Sequence, residues 1–205
     1  HTRLRASPQR LQHEPIKRGP GTILQAVITE HEDAILSQTT DTRWQEDAAC
    51  RLSAIFGEEQ TPVFEENLEG ALGAARDEAN AAIREYRLHH DVDRVLQEVG
   101  RPLCEPLRFA AYLLGHLDGR GNDLSTVPTA RDRLTDSDYA TFVEQMADAL
   151  RVLWDTATTW EPPAVFDPLK DIVRDVLDMG GMTLNRQDDG SLCVDIPFTA
   201  DTMPT

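Results

Sequence analysis

Lysine is almost absent from this sequence, and cysteine is scarce. Only Lys17 and Lys170 occur among 205 residues, acids outnumber basic residues by 36 to 20, and the net charge is −16. A surface of this sign repels phosphate, which argues against nucleic-acid binding through a broad basic face. Cys50, Cys104 and Cys193 lie far apart, so neither a disulfide framework nor a zinc site is predicted. We expect buried free thiols in a cytoplasmic protein.

Long apolar runs and common catalytic motifs are missing as well. No stretch approaches the roughly 20 apolar residues that span a bilayer, and the longest, Phe109 to Leu117, suits a core helix. No Walker A, GxGxxG, GxSxG or HExxH pattern occurs. We therefore expect no membrane partner and no cofactor. No secretory signal is recognised at the start, and a chain that begins at histidine is expected to be a truncated or processed product.

Charge divides the chain into a basic arm and an acidic body. Residues 1–21 contain five basic residues and one acid, so this segment carries +4 and the remaining chain carries −20. Such a composition, with little apolar content, predicts a flexible basic arm. The arm could lie back on the acidic body, contact a partner, or supply the only route to nucleic acid.

Apolar residues at helical spacing predict a mainly α-helical domain of about seven helices over residues 22–179. Capping boxes or first-turn prolines predict helix starts at Thr22–Gln25, Thr42–Gln45, Thr61-Pro62 and Asp167-Pro168. The helix from Thr42 is expected to carry an apolar stripe of Trp44, Ala48, Leu52, Ile55 and Phe56 on its buried side. Gly100 is expected to end one helix, and Pro102 to begin a central buried helix that extends to Leu117. Residues 118–134 are predicted to form a long loop.

The hydrophobic period changes from 3.6 to 2 after Gly180-Gly181. Residues 180–198 predict a β-hairpin around Asp189-Gly190, with Leu192, Val194 and Ile196 on one face. A lone hairpin is marginal in water, so we expect it to pack on the helices or to pair with another chain. Residues 199–205 are predicted to form a tail.

The densest group of reactive side chains is REYRLHHDVDRV, Arg84 to Val95. Its candidate catalytic residues are Arg84, His89, His90 and Asp91, and the candidate metal ligands are His31, His90 and Asp91. The surface of a helix explains the same residues. Glu85 and Arg87 precede His89 and Asp91 by one turn, the spacing of favourable pairs, and Asp91 can cap a restarted helix.

Two enzyme families share features with this cluster. Arg84 followed by His89 or His90 resembles the motif of HEPN ribonucleases, although Glu85 stands where that family prefers Asn, Asp or His. The resemblance implies an all-α dimer in which the arginine stabilises a phosphate and the histidine acts as acid or base. The alternative metal set, His31 and His90-Asp91 with a later aspartate, resembles HD-type metal phosphohydrolases; that aspartate would be Asp138, Asp148 or Asp155.

Two further resemblances lie outside the cluster. Glu65-Glu66-Asn-Leu-Glu69 resembles the EExxE magnesium motif of MazG-type nucleotide pyrophosphohydrolases, but the companion ExxD is missing. A hairpin after helices is similar to a winged-helix DNA-binding domain. Its wing tip would carry Asp188 and Asp189, which repel phosphate.

The sequence favours a non-enzymatic helical subunit for protein–protein interaction, adaptor or assembly roles in a larger complex. Its expected partners are other protein chains or further copies of itself. The grounds are the missing catalytic motifs, the charge split between arm and body, and a hairpin that could extend a partner's sheet. The alternative is a metal-dependent or HEPN-like helical nuclease or phosphohydrolase that uses the Arg84–Asp91 cluster.

Overall fold

A central helix of 28 residues organises the fold. The computed structural model describes residues 31–57, 60–159, 164–186 and 192–203. The described residues form six α-helices: α1 (His31–Ser53), α2 (Thr61–His89), α3 (Val92–Gly119), α4 (Pro128–Thr135), α5 (Ala140–Asp155) and α6 (Asp167–Met179). Two antiparallel strands follow, β1 (Thr183–Arg186) and β2 (Leu192–Asp195). The predicted fold class, mainly helical with a C-terminal hairpin, is confirmed, with six helices where about seven were expected.

Some predictions fall on other parts of the chain. The basic arm, the Thr22–Gln25 capping box and the Asp189-Gly190 turn lie outside the described residues. Among the described residues, no helix is long and apolar enough to cross a membrane.

The central helix is α3, which packs against α1, α2, α5 and α6. Its fully buried side chains include Val95, Val99, Leu103, Leu107 and Leu113. Each such side chain contributes about 1.5–3 kcal/mol by leaving water. The prediction of a central buried helix is therefore confirmed.

The predicted break in this helix is wrong, because α3 runs without interruption through Gly100, Pro102 and Pro106. A proline inside a helix lacks the N–H donor and crowds the preceding turn, which costs about 3 kcal/mol. Both prolines are buried among the core residues of α3. Burial of the surrounding apolar side chains offsets the cost of the two prolines. Tertiary packing therefore keeps α3 continuous where local preference predicted a break.

Two other local predictions are also wrong. The capping box at Thr42 does not begin a helix, because α1 continues through it with Thr40 and Arg43 buried on either side. The predicted loop at 118–134 contains a 3-10 turn at Leu124–Thr126 and then α4. Proline in the first turn starts α4, as it starts α2 and α6.

The hairpin packs on α6 through β1. Leu184 pairs with Val194, and both Leu184 and Ile196 are buried, as the alternation predicts. The residues that follow β2 also pack against the helices. A 3-10 turn at Ala200–Thr202 lies against α2 and buries Thr202, although this part was predicted to be a tail.

Two residues, His90 and Asp91, form the sharp link between α2 and α3. His90 adopts the left-handed conformation, with φ 57° and ψ 23°, and its N–H donates to the carbonyl of Tyr86 at 2.9 Å. Asp91 Oδ1 accepts from the backbone N–H of Arg94 at 3.1 Å. The predicted helix cap at Asp91 is therefore present.

The left-handed residue generates a stability prediction. An L-amino acid with a side chain pays about 1 kcal/mol for this conformation, whereas glycine does not. His90→Gly should raise the free energy of unfolding by up to about 1 kcal/mol, measured by urea denaturation. Glu85→Gly, at an exposed position inside α2, should lower it by about 1 kcal/mol. A His90→Gly variant that is less stable than the wild type would contradict this account.

Candidate functional site

The two candidate histidines are His89, the last residue of α2, and His90, the first residue of the link, and both rings lie near Tyr86. Their ring centroids are 5.7 Å and 6.3 Å from the tyrosine ring. His89 Nδ1 accepts from the backbone N–H of Asp91 at 2.9 Å, and its Nε2 lies 4.0 Å from a Glu98 carboxylate oxygen. His90 is exposed. His89 and Asp91 thus serve the turn itself.

Two arginines of the cluster, Arg84 and Arg87, bind the C-terminal segment. Arg84 Nη1 donates to the carbonyl of Asp201 at 2.5 Å. Arg87 Nη2 donates to the carbonyls of Ile196 and Pro197 at 2.7 Å and 2.9 Å, and its guanidinium lies 4.0 Å from the centre of the Phe198 ring. The predicted pair between Arg87 and Asp91 does not form, because α2 ends before Asp91. These two arginines fasten the end of the chain to α2.

No metal cluster is found among the described residues, where no three His, Cys, Asp or Glu side chains converge. His31 is the first residue of α1, and its side chain lies outside the described part. Asp138 pairs with Arg76 at 3.3 Å, and Asp148 pairs with Arg151 at 3.1 Å. The catalytic and metal-binding roles of the Arg84–Asp91 cluster remain predictions.

The contact between α1 and α3 is a polar interface that sequence reasoning missed. A Cβ placed on Gly115 would overlap the backbone carbonyl of Asp47, and one placed on Gly119 would overlap that of Arg51. The two glycines, four residues apart on α3, let the helices approach closely. The spacing Gly-x-x-x-Gly in the sequence was the available signal, as it is where helices approach closely in membranes.

Charged side chains fill the rest of this interface. Arg43 Nη2 donates to the carbonyl of Cys104 at 2.8 Å, and the Tyr112 hydroxyl donates to Glu46 Oε1 at 2.7 Å. Burial raises the pKa of Glu46, against the effects of the Tyr112 bond and of Arg43 and Arg108. Burial also raises the pKa of the Cys104 thiol to about 11, so that this cysteine stays protonated.

Asp47 is the most deeply buried carboxylate of the interface, with 1% of its surface exposed. Its Oδ2 atom has no hydrogen-bond partner among the described residues. Burial raises the pKa of Asp47 to about 7; Asp118 adds to this shift, while Arg51 and Arg151 oppose it. The interface therefore contains a carboxyl group that titrates near neutral pH.

The end of α1 carries an exposed apolar knob, formed by Leu52, Ile55 and Phe56. Their exposed fractions are 68%, 70% and 86%. These residues were predicted to belong to the buried stripe of a helix, and that prediction is wrong. Leu52 lies in the last turn of α1, and Ile55 and Phe56 lie in the 3-10 turn Ala54–Phe56 that follows it.

The base of this knob is fixed by Arg51. Its guanidinium lies 3.4 Å from an Asp118 carboxylate oxygen and 4.4 Å from the centre of the Trp154 ring. The last turn of α1 is thereby tied to both α3 and α5. The knob therefore projects from an anchored helix end.

Comparison of this chain with protein-family models, with curated proteins and with solved structures gave no match. Function must therefore be argued from the chain's own residues.

The close approach at the two glycines generates a second stability prediction. Gly115→Ala should destabilise the protein by about 1–3 kcal/mol, because the added methyl group forces α1 away from α3. Gly73→Ala, in α2, is the matched control, since its Cβ would meet nothing within 4 Å. That change should be neutral or stabilising by up to about 1 kcal/mol. Chemical denaturation measures both, and equal effects would contradict the proposed close contact.

A third prediction concerns pH. The pKa of Asp47 rises from 3.8 to about 7 on folding, so the folded chain binds more protons at this group than the unfolded chain between these values. Its contribution to stability is therefore complete at acid pH and is lost as pH rises towards 7. Asp47→Asn carries no charge at this position. Its free energy of unfolding, relative to the wild type, should increase between about pH 4 and pH 7.

Urea denaturation across this pH range measures the effect. Asp77→Asn, at an exposed position on α2, serves as the control and should show no comparable trend. If the difference between Asp47→Asn and wild type does not change with pH, Asp47 does not titrate in this range.

Proposed function

We propose that the protein is a non-enzymatic helical assembly module that associates with a second copy of itself through the apolar knob. The exposed cluster of Leu52, Ile55 and Phe56 is the observation that carries the proposal. Isolated apolar residues on a surface are ordinary, but adjacent large ones mark an interaction surface. Three such side chains within five residues form a patch whose exposure to water is unfavourable.

The apolar composition of the knob indicates what binds to it. A two-fold contact brings the same residues of both copies together, so an apolar knob meets another apolar knob. Phe56 is the natural centre of such a contact because a large aromatic side chain removes the most apolar surface from water. The helix end beneath it is held by Arg51, which limits the conformational entropy lost on binding.

Charge gives this association a distinctive salt dependence. Each copy carries a net charge of −16, so two copies repel each other at low ionic strength. Salt screens that repulsion and leaves the apolar contact in place. Association through the knob should therefore strengthen as salt increases, whereas an association driven by opposite charges weakens.

The nuclease or phosphohydrolase alternative has less support from the geometry. Arg84 donates to a backbone carbonyl, and Asp91 caps α3. The observed partners of both residues stabilise the fold.

The proposal predicts the effect of one substitution on self-association. Phe56→Asp should weaken the dimer by about 2 kcal/mol or more, which is roughly thirty-fold in the dissociation constant. Sedimentation equilibrium at several salt concentrations measures this constant. Val152→Asp is the control, because Val152 is 60% exposed on α5 and lies outside the knob; it should leave the constant close to that of the wild type.

Two results would overturn the proposal. One is a wild-type chain that stays monomeric at every protein and salt concentration tested. The other is a dimer that Phe56→Asp and Val152→Asp weaken equally, since the knob would then not be the dimer interface. Circular dichroism of each variant establishes that the fold is retained.

A further inference from the structure

A groove of about 860 Å³ runs between α2 and α3, on a part of the surface that the proposed dimer does not use. The α2 side is lined by small residues, including Gly70, Ala71, Ala74 and Ala81. A Cβ placed on Gly70 would meet nothing within 4 Å. The space is therefore wide enough at this wall for another stretch of backbone to approach α2 closely.

The charged residues along the groove are mainly acidic. Glu78 of α2 and Glu98 and Glu105 of α3 contribute three carboxylates, and Arg101 contributes one guanidinium. Glu98 is already paired with Arg94 at 2.8 Å and Glu105 with Arg108 at 3.2 Å, so Glu78 is the carboxylate of the groove that is open to a new partner. Glu78 has no ion pair among the described residues. An occupant that brings positive charge would therefore be attracted to this groove.

The chain itself contains one strongly basic segment. The basic arm, residues 1–21, combines five basic residues with a single acid. These residues are Arg3, Arg5, Arg10, Lys17 and Arg18. Its charge is thus opposite to that of the groove and of the acidic body.

The geometry of α1 brings the upstream chain to the groove. The contacts of Asp47 with Gly115 and of Arg51 with Gly119 join positions that are equally spaced along the two helices. The two helices therefore run in the same direction, so the N-terminal half of α1 lies towards the N-terminal half of α3. The stretch of α3 that lines the groove, from Gln97 to Phe109, begins in that half.

Arg108 shows that α1 also lies beside the groove. Its guanidinium is 3.8 Å from Glu46 of α1 and 3.2 Å from Glu105 on the groove wall. Residues 22–30 connect the basic arm to α1 and contain the helix start predicted at Thr22–Gln25, and nine helical residues span about 14 Å. The lining stretch of α3 is about 18 Å long, and the 21 residues of the arm itself are long enough, when extended, to cover it.

We propose that the basic arm of each chain docks in its own α2–α3 groove, with a basic side chain against Glu78. Tethering favours this intramolecular contact, because a short connection gives an effective concentration in the millimolar range. The small residues of α2 admit the backbone of the arm, and Glu78 together with the net acidic charge of the body supplies the electrostatic attraction. This contact weakens as salt increases, unlike the contact through the knob.

Limited digestion of the full-length chain with trypsin tests the proposal, because trypsin cleaves after the five basic residues of the arm. A docked arm should be cut about tenfold more slowly than a free peptide of residues 1–21, which corresponds to about 1.4 kcal/mol of docking free energy. Higher salt should speed cleavage of the chain towards the rate of the peptide. Mass spectrometry identifies the sites and measures their rates.

A matched pair of charge reversals locates the contact. Glu78→Lys should accelerate cleavage of the arm severalfold at low salt, whereas Asp77→Lys, its exposed neighbour outside the groove, should have a much smaller effect. Equal acceleration by both would overturn the proposal in favour of general attraction to the acidic body. Cleavage of the wild-type arm as fast as the peptide, or protection that increases with protein concentration, would also overturn intramolecular docking.

Discussion

The contact of α1 with two glycines of α3 sets the geometry on which the rest of the structure depends. Gly115 and Gly119 present no side chain, so the carbonyls of Asp47 and Arg51 lie directly on α3. That depth buries Asp47 and brings Glu46 within reach of Tyr112. It also fixes the direction of α1, and hence the positions of the apolar knob at one end and of His31 at the other.

The same contact makes α1 unlike the other large helices. Among the side chains of α1 that the structure describes, the buried ones, Leu36, Thr40, Arg43 and Asp47, follow a helical repeat, and three of these four are polar. Polar groups stabilise an interface only when they are paired, and a buried carboxylate costs free energy whenever it is ionised. The attachment of α1 therefore depends on protonation and hydrogen bonding, whereas α2 and α3 are joined through apolar packing. The helix that positions the knob is thus also sensitive to pH.

Local signals in the sequence located several helix ends correctly. Thr61-Pro62 and Asp167-Pro168 start helices, and Asp91 caps α3, because these signals act through the few backbone groups next to them. The alternation of Leu192, Val194 and Ile196 likewise identified the inner face of the hairpin. Such features need no knowledge of distant residues.

The wrong predictions concern places where contacts between residues distant in sequence override the local conformational preference. Pro102 remains inside α3 because the core holds both ends of that helix. The exposed face of α1 was misassigned because apolar spacing was taken to mark the buried side, whereas the glycine contact buries Arg43 and Asp47 and leaves Leu52 and Phe56 in water. The groove depends on the pairing of two helices, which periodicity along one helix does not reveal.

The cluster that looked most reactive in the sequence proved to be structurally engaged. Arg84 and Arg87 bind backbone carbonyls near the end of the chain, and His89 and Asp91 support the link between helices. The group therefore serves two structural tasks. His89 and Asp91 accept from backbone N–H groups that the link leaves without helical partners, and the two arginines attach the C-terminal segment to α2.

The two proposed contacts are compatible because they use different residues, the apolar knob after α1 and the groove between α2 and α3. Docking moves the +4 of the basic arm onto the acidic body and leaves the net charge of each copy at −16. The repulsion between two copies is therefore set by this net charge and by ionic strength. Salt acts on the two contacts in opposite directions, because it screens the repulsion between copies and also screens the attraction between the arm and the groove.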